Sequence, residues 1–248
     1  MSLTGKTAIV TGASAGMGAA IVRALTGAGA RVAAGARRTE RLGELAGDVV
    51  GLELDVTDPA SCERFVGEAV GKLGGGLDIL VNNAGLAFGR DPFWEGTEDE
   101  EETVLQTNVH GVLRMTRLCI PHIRDGGHIV NMGSVAGRQA YDRGAVYITS
   151  KFAVRGFTYA LREDLLGRPI HLTTVDPGLV GGTEFSLVRF RGDEEQAKKP
   201  YEGVEPLAAD DIAECVLFAV TRPSRVNIDE IVIKALAQSS AVRIHRDE

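Results

Sequence analysis

The chain is poor in the residues that mark several kinds of protein. Its 248 residues include only three cysteines, one tryptophan and 5% aromatics. Cys62, Cys119 and Cys215 are odd in number, far apart and without a C-x-x-C, which excludes a disulfide framework or a zinc site. Unpaired thiols fit a reducing compartment, so a cytoplasmic location is expected. The histidines are sparse too. His110, His122, His128, His171 and His245 show no H-x-H or H-E-x-x-H spacing, so they read as surface or packing residues and no metal is expected. Positive charge is in short supply: 27 Lys and Arg against 34 Asp and Glu leave a net charge of -7. That argues against nucleic acid or an anionic membrane as a partner. No uncharged apolar run approaches the length of a membrane span. Lys6 and a glycine-rich loop stand where a signal peptide would carry its apolar core, so export is not expected. Internal repeats, low-complexity stretches and domain linkers are missing as well. The expectation is one domain over residues 1–248.

What is present is an ordinary globular composition, 44% hydrophobic and 25% charged, with a repeated strand–helix alternation. Thr7 to Val10, Arg31 to Ala36, Val49 to Leu54, Leu77 to Val81, His128 to Met132, Ile170 to Val175 and Asn227 to Ile233 read as strands. Helical patterns follow Gly18, Asp58-Pro59, Thr97, Val146 and Asp210, with Asp58 and Thr97 as caps and Glu100 completing a capping box. Leu105, Val109, Val112 and Leu113 give the helix after Thr97 an apolar face. The alternation predicts an α/β fold, a doubly wound parallel sheet with helices on both faces.

Chemistry concentrates in a few stretches. Thr11-Gly12-Ala13-Ser14-Ala15-Gly16-Met17-Gly18 joins the first strand to the first helix. Glycines there let the backbone approach a pyrophosphate, and the helix start offers free N–H groups. Where NAD-binding folds carry a ribose-binding acid, the second strand ends in Ala36 followed by Arg37-Arg38, which favours a 2′-phosphate and hence NADP. Asn82-Asn83-Ala84-Gly85 closes the fourth strand at the end where such sheets bind ligands. Tyr147 and Lys151 are four apart and share a helix face, beyond Ser134 at the end of a strand. An ammonium beside a phenol favours the phenolate, so Lys151 is expected to lower the Tyr147 pKa and let it move a proton near neutral pH. Tyr-x-x-x-Lys alone is better explained by chance; its companions overturn that reading. The segment from about 181 to 206 breaks the pattern and reads as a lid.

Together these stretches resemble the short-chain dehydrogenase/reductase family, through Thr-Gly-x-x-x-Gly-x-Gly at 11–18, Asn-Asn-Ala-Gly at 82–85, Asn108, Ser134, Tyr147-x-x-x-Lys151 and Pro177-Gly178. The resemblance implies a single-domain Rossmann-type fold and an NADP-dependent enzyme acting on CH–OH and C=O groups. It makes Tyr147 the general acid/base, Lys151 a ligand of the nicotinamide ribose, Ser134 the holder of the substrate oxygen and Asn108 the holder of a water in a proton relay. Gly12, Gly16 and Gly18 would frame the pyrophosphate, Arg37 would read the 2′-phosphate, Asp55 would meet the adenine edge and Asn83 would support the cofactor. Ser14, Met17, Arg38, Val56, Ala84, Gly85, Pro177 and Gly178 complete the expected cofactor contacts.

From Asp176-Pro177-Gly178 through Thr183-Glu184-Phe185 and Arg222-Pro223-Ser224 the chain looks like the NADP-dependent 3-hydroxy acid dehydrogenase branch, acting on serine, allo-threonine or 3-hydroxypropionate. A substrate carboxylate would need a cation, for which Arg138, Arg143, Arg189 and Arg191 are candidates. The alternatives are a carbonyl reductase of a larger aldehyde or ketone, including 3-oxoacyl substrates, and a non-catalytic NADP(H) sensor. The resemblance also implies a homotetramer or homodimer, built through the helices after Gly96 and Tyr147.

Overall fold

The computed structural model describes residues 2–247. Seven strands form one parallel sheet: β1 (Thr7–Thr11), β2 (Arg31–Ala36), β3 (Val49–Glu53), β4 (Leu77–Asn82), β5 (Ile123–Met132), β6 (His171–Pro177) and β7 (Glu230–Ile233). Their spatial order is β3-β2-β1-β4-β5-β6-β7. The helices are α1 (Gly16–Gly27), α2 (Pro59–Lys72), α3 (Glu98–Leu105), α4 (Gly111–Cys119), α5 (Ala145–Asp164), α6 (Phe185–Arg189), α7 (Glu194–Lys198) and α8 (Ala209–Val220). Parallel neighbours need crossovers, and the helices that supply them bury both faces of the sheet. That explains why the strands read as continuous apolar runs rather than as alternations. On β1, Ala8 and Val10 pack with Ile21, Leu25 and Ile212 on the α1–α8 side. Ile9 points the other way, into Phe65, Leu80, Met115 and Leu161.

Strand order reverses between β1 and β4, and the crevice at their carboxyl ends is where an open α/β sheet binds ligands. Hydrogen bonds lock this junction. The Thr11 hydroxyl accepts from the backbone N–H groups of Asn83 and Ala84, both at 3.0 Å. Asn83 Nδ2 donates to the carbonyls of Thr11 at 2.9 Å and Gly12 at 3.1 Å. Its neighbour Asn82 faces the other way, into a buried chain. Asn82 Nδ2 donates to Thr116 Oγ1 and Asn131 Oδ1, and Asn131 Nδ2 donates to Thr158 Oγ1. So of the two adjacent amides one fastens α4 and α5 to the sheet, and the other shapes the crevice.

Three local expectations change. The last strand begins at Glu230 rather than Asn227, because the Asn227 side chain takes the place of a strand partner, accepting from Leu172 N and donating to Leu172 O. Thr97 caps α3, accepting from Glu100 N, but the Glu100 carboxylate does not complete a capping box; it forms a bidentate pair with Arg191. Between α3 and α4 the helix runs through a π turn at Gln106–His110. The turn shifts the helical phase, so the buried residues are Val104, Thr107, Asn108, Gly111, Val112, Met115, Thr116 and Cys119, while Leu105, Val109 and Leu113 are only half-buried.

Candidate active site

Two adjoining cavities open at the carboxyl ends of the strands. The first, about 420 Å³, is lined by Gly12, Ser14, Gly16, Met17, Gly18, Arg37, Arg38, Asp55, Val56, Asn83, Ala84 and Gly85. These are the residues the sequence assigned to the nucleotide, apart from those at the nicotinamide end. The second, about 620 Å³, is lined by Ser134, Tyr147, Lys151, Pro177 and Gly178 among others. Met17, Asn83, Gly85, Thr183 and Phe185 belong to both walls, so one ligand can run from groove to cavity.

The groove is built for an anion beside backbone. Helix α1 starts after Ala15 with no side-chain cap and no acid in its first turn, so its first N–H groups stay available. Glycine is required where the turn folds against the switch point. Gly12 has φ +65, and a Cβ on Gly18 would lie 2.2 Å from the Gly12 carbonyl oxygen. Arg37 is exposed at the rim, with no hydrogen bond or ion pair among the described residues. Arg38 is engaged: its Nη2 donates to Glu184 Oε2 at 2.6 Å and to Ser14 Oγ at 3.3 Å. The same carboxylate accepts from Arg41 Nη1 at 2.6 Å. Asp55 Oδ1 accepts from the Thr57 amide and hydroxyl, which fixes the carboxylate at the groove wall. These residues fit a dinucleotide carrying an extra phosphate: an uncapped helix start, glycines where side chains would obstruct, and guanidinium groups in place of a ribose-binding acid.

At the other end the catalytic candidates come together. Ser134 caps the turn after β5, its hydroxyl accepting from Ala136 N at 3.1 Å, and it is the hydrogen-bonding neighbour that favours ionisation of Tyr147. Lys151 Nζ lies 5.8 Å from the Tyr147 ring centre and donates to the Met132 carbonyl at 2.9 Å. The electrostatics correct one expectation. Burial pushes the Tyr147 phenol up to about 12, against the Ser134 hydrogen bond and the Arg189 charge, which pull it down. Burial also pulls Lys151 down to about 8, opposed by Asp176. In the chain by itself burial dominates at both groups, disfavouring the charged phenolate and the charged ammonium alike. At neutral pH Tyr147 is a protonated acid.

Asn108 is deeply buried and sits behind both cavities rather than in either wall. Its Nδ2 donates to Leu86 O at 2.8 Å and Ser150 Oγ at 3.0 Å, and its Oδ1 accepts from Leu86 N. Both amide donors are therefore taken. What Asn108 keeps is oxygen lone-pair capacity near Gly85: a Cβ on Gly85 would lie 3.3 Å from Asn108 Oδ1 and 3.7 Å from Lys151 Nζ. Ser150 in turn donates to the Tyr147 carbonyl at 2.7 Å, so the π turn and the start of α5 are tied together under the site.

Of the four arginines considered for a carboxylate, two are paired with acids and a third sits exposed at the cavity wall. Arg138 is paired with Asp176 and Glu230, Arg191 with Glu100, and Arg143 is exposed beside Asp142. Sequence reasoning missed the residues that the 181–206 segment brings over the site. Thr183 meets Gly16, Glu184 reaches Arg38 and Arg41, and Phe185 tilts against the Tyr147 ring with centroids 5.6 Å apart.

Comparison with known proteins finds likeness to dehydrogenases. The family model for short chain dehydrogenase matches residues 6–192. NADP-dependent 3-hydroxy acid dehydrogenase YdfG of Escherichia coli K12 is 42% identical over 245 residues, covering 96% of this chain and 98% of that protein. The NADP-dependent 3-hydroxy acid dehydrogenase of Schizosaccharomyces pombe is 38% identical, covering 99% and 98%. Among solved structures, the closed form of serine dehydrogenase complexed with NADP+ superposes with a TM-score of 0.91 at 40% identity, covering 97% of this chain and 100% of that one.

Proposed function

Because the chain belongs to the short-chain dehydrogenase family, we propose that it is an NADP-dependent oxidoreductase of a small hydroxy acid and its oxo form, of the serine, allo-threonine or 3-hydroxypropionate type. The observation that carries the reading is the continuity of the two cavities. An anion-ready groove with an arginine rim runs directly into a wall holding Ser134, Tyr147 and Lys151.

NADP, when bound, supplies or takes up the hydride. The rest falls to side chains. The Ser134 hydroxyl holds the substrate oxygen. In reduction the Tyr147 phenol gives that oxygen its proton while the carbonyl carbon gains the hydride; in oxidation the phenol takes the proton back. Lys151, with a pKa drawn down to about 8 by burial, can return a proton toward Tyr147. Asn108 acts on this reading through its remaining oxygen capacity beside Gly85 and through Ser150, which steadies the first turn of α5. Gly12, Gly16 and Gly18 admit the pyrophosphate, Arg37 and Arg38 receive the 2′-phosphate, and Asp55 meets the adenine edge. The 181–206 segment acts as the lid of one catalytic domain. We further infer a dimer or tetramer, supported by the exposed Phe152 and Tyr159 on α5, and a cytoplasmic location, supported by three unpaired thiols.

A second reading has one observation in its favour. A cavity of about 620 Å³ is roomier than a three- or four-carbon acid needs, which suits a larger aldehyde or ketone. NADPH and NADH turnover, followed by fluorescence across hydroxy acids, aldehydes and ketones, separates the two. Highest kcat/KM on short hydroxy acids with NADP supports the first. Turnover confined to bulky neutral carbonyls replaces it with the second.

A further inference from the structure

We propose that Arg189 is the specificity-determining residue that receives the substrate carboxylate. This deepens the hydroxy acid reading and rests on it. The chain carries a net charge of -7, yet its substrate cavity is lined by Arg90, Arg143, Lys151, Arg189 and Arg246 against the single acid Asp142. A cavity whose sign opposes that of the whole molecule concentrates anions.

The cations in this wall are not equivalent. Arg90 lies over the Tyr141 ring, 5.6 Å from its centre. Arg143 is exposed, with Asp142 at 4.0 Å. Lys151 is held by the Met132 carbonyl and belongs to the proton path. Arg246 donates to the carbonyls of Pro200 and Glu202, pinning the C-terminal tail to the lid.

Arg189 differs from all of these. Its Nε donates to Gly89 O at 3.1 Å, which sets the plane of the fork. Its Nη2 is buried without a hydrogen-bond partner, and no acid pairs with it among the described residues. Its guanidinium carbon stands 5.6 Å from the centre of the Tyr147 ring. A buried guanidinium nitrogen with nothing to donate to is costly, and the cost is recovered when a ligand brings an acceptor. A planar carboxylate matches that fork. In a 3-hydroxy acid the carboxylate carbon and the carbinol carbon are separated by two carbon–carbon bonds, roughly 2.5 Å apart. With its carboxylate on Arg189, such a substrate can offer its hydroxyl to Tyr147 and Ser134 on the same wall.

The test compares wild type, R189Q and R189K on a 3-hydroxy acid and its neutral methyl ester, with propionate as a competitive inhibitor and thermal melting as a control for folding. In R189Q the ratio of acid to ester kcat/KM falls about a hundredfold, chiefly through KM for the acid, and propionate inhibition disappears. R189K keeps the charge and recovers part of both. Equal losses on acid and ester, with propionate still inhibiting, overturn the assignment and leave Arg189 as a staple between the lid and Gly89. If wild type turns over only neutral carbonyls, the hydroxy acid reading fails by itself. Propionate then decides Arg189 separately: inhibition that R189Q abolishes sustains it, and equal inhibition of both proteins overturns it.

Discussion

Replacing Glu184 by glutamine tests how the 181–206 segment and NADP would share the arginine rim. The Glu184 carboxylate bridges Arg38 and Arg41, each at 2.6 Å, and the three side chains are 37%, 43% and 40% exposed. The guanidinium pair holds the Glu184 carboxyl below its usual range. At this exposure the Arg38–Glu184 pair contributes about 0.2–1 kcal/mol. A 2′-phosphate that takes Arg38 competes with this carboxylate and meets its charge. Glutamine keeps the shape and one acceptor but removes the charge. Release from that competition should tighten NADP(H) binding by up to about fivefold, at 1.4 kcal/mol per decade. NAD(H), which has no 2′-phosphate, should change by less than about twofold, and the melting temperature should drop by a few degrees. The assay is direct titration of NADPH and NADH by fluorescence at low and high salt, since exposed charges are screened. Weaker NADP(H) binding in E184Q with NAD(H) unchanged would refute the reasoning. Glu184 would then be arranging Arg38 for the phosphate rather than contesting it.

Other outcomes follow from the same geometry. Tyr147→Phe should remove about two to four decades of turnover while leaving NADPH binding intact; near-normal turnover would remove Tyr147 from the acid/base role. With Tyr147 pushed up to about 12, its ionised fraction rises about tenfold per pH unit through the neutral range, so oxidation of the alcohol should climb with pH while reduction stays level near neutrality; an oxidation profile flat from pH 6 to 9 would contradict this. Gly85→Ala places a methyl carbon 3.3 Å from Asn108 Oδ1 and 3.7 Å from Lys151 Nζ, and should lower kcat more than it weakens NADPH binding, as read by paired kinetics and titration. His128, stacked on His171 and hydrogen-bonded to Thr173 Oγ1, is held neutral by burial, its pKa lowered from 6.5 to about 3. The unfolded chain therefore takes up a proton that the folded one refuses. Stability is complete above pH 6.5 and falls as pH drops toward 3, by about 2 kcal/mol at pH 5; urea melts of His128→Asn should show a shallower acid slope than wild type.

The parts of the site that could be read in the sequence are those in which short-range spacing does the chemistry. Gly12, Gly16 and Gly18 lie within one turn, and Tyr147 and Lys151 within one helical turn, so a few residues of context suffice. The lid's contacts were not legible for the opposite reason. Glu184 meets Arg38 across 146 positions, and nothing in either neighbourhood names the other. Residues 98–119 failed more quietly. A 3.6-residue period carried through the π turn at Gln106–His110 selects Leu105 and Val109, whereas the extra residue in that turn brings Thr107 and Asn108 inward. The Tyr147 pKa failed because pattern shows the neighbouring charge but not the burial that opposes it. Asn82 and Asn83 look alike in sequence, and only the pleat decides that one serves the core and the other the crevice.

These long-range contacts converge on one short segment. Between 183 and 189 the chain touches the glycine turn, the arginine rim and the Tyr147 ring in order. Thr183 packs on Gly16 of the anion turn, where a Cβ would meet its side chain at 3.2 Å. Glu184 holds Arg38 and Arg41. Phe185 lies against the Tyr147 ring, and Arg189 reaches over that same ring to Gly89. Because the segment is this short, a shift at Glu184 cannot be absorbed before Phe185 and Arg189. Its far end is anchored as well: Ser186 Oγ and Tyr201 Oη share a hydrogen bond of 2.7 Å, and Tyr201 Oη donates to Val180 O. A segment tethered in this way moves as a unit or not at all. On the proposed function, exchange of a carboxylate for a phosphate on Arg38 would therefore bias the placement of Arg189 beside Tyr147. E184Q should accordingly alter KM for a hydroxy acid as well as NADP(H) affinity. If KM for the acid stays fixed while NADP(H) affinity shifts, the two ends of the segment are independent.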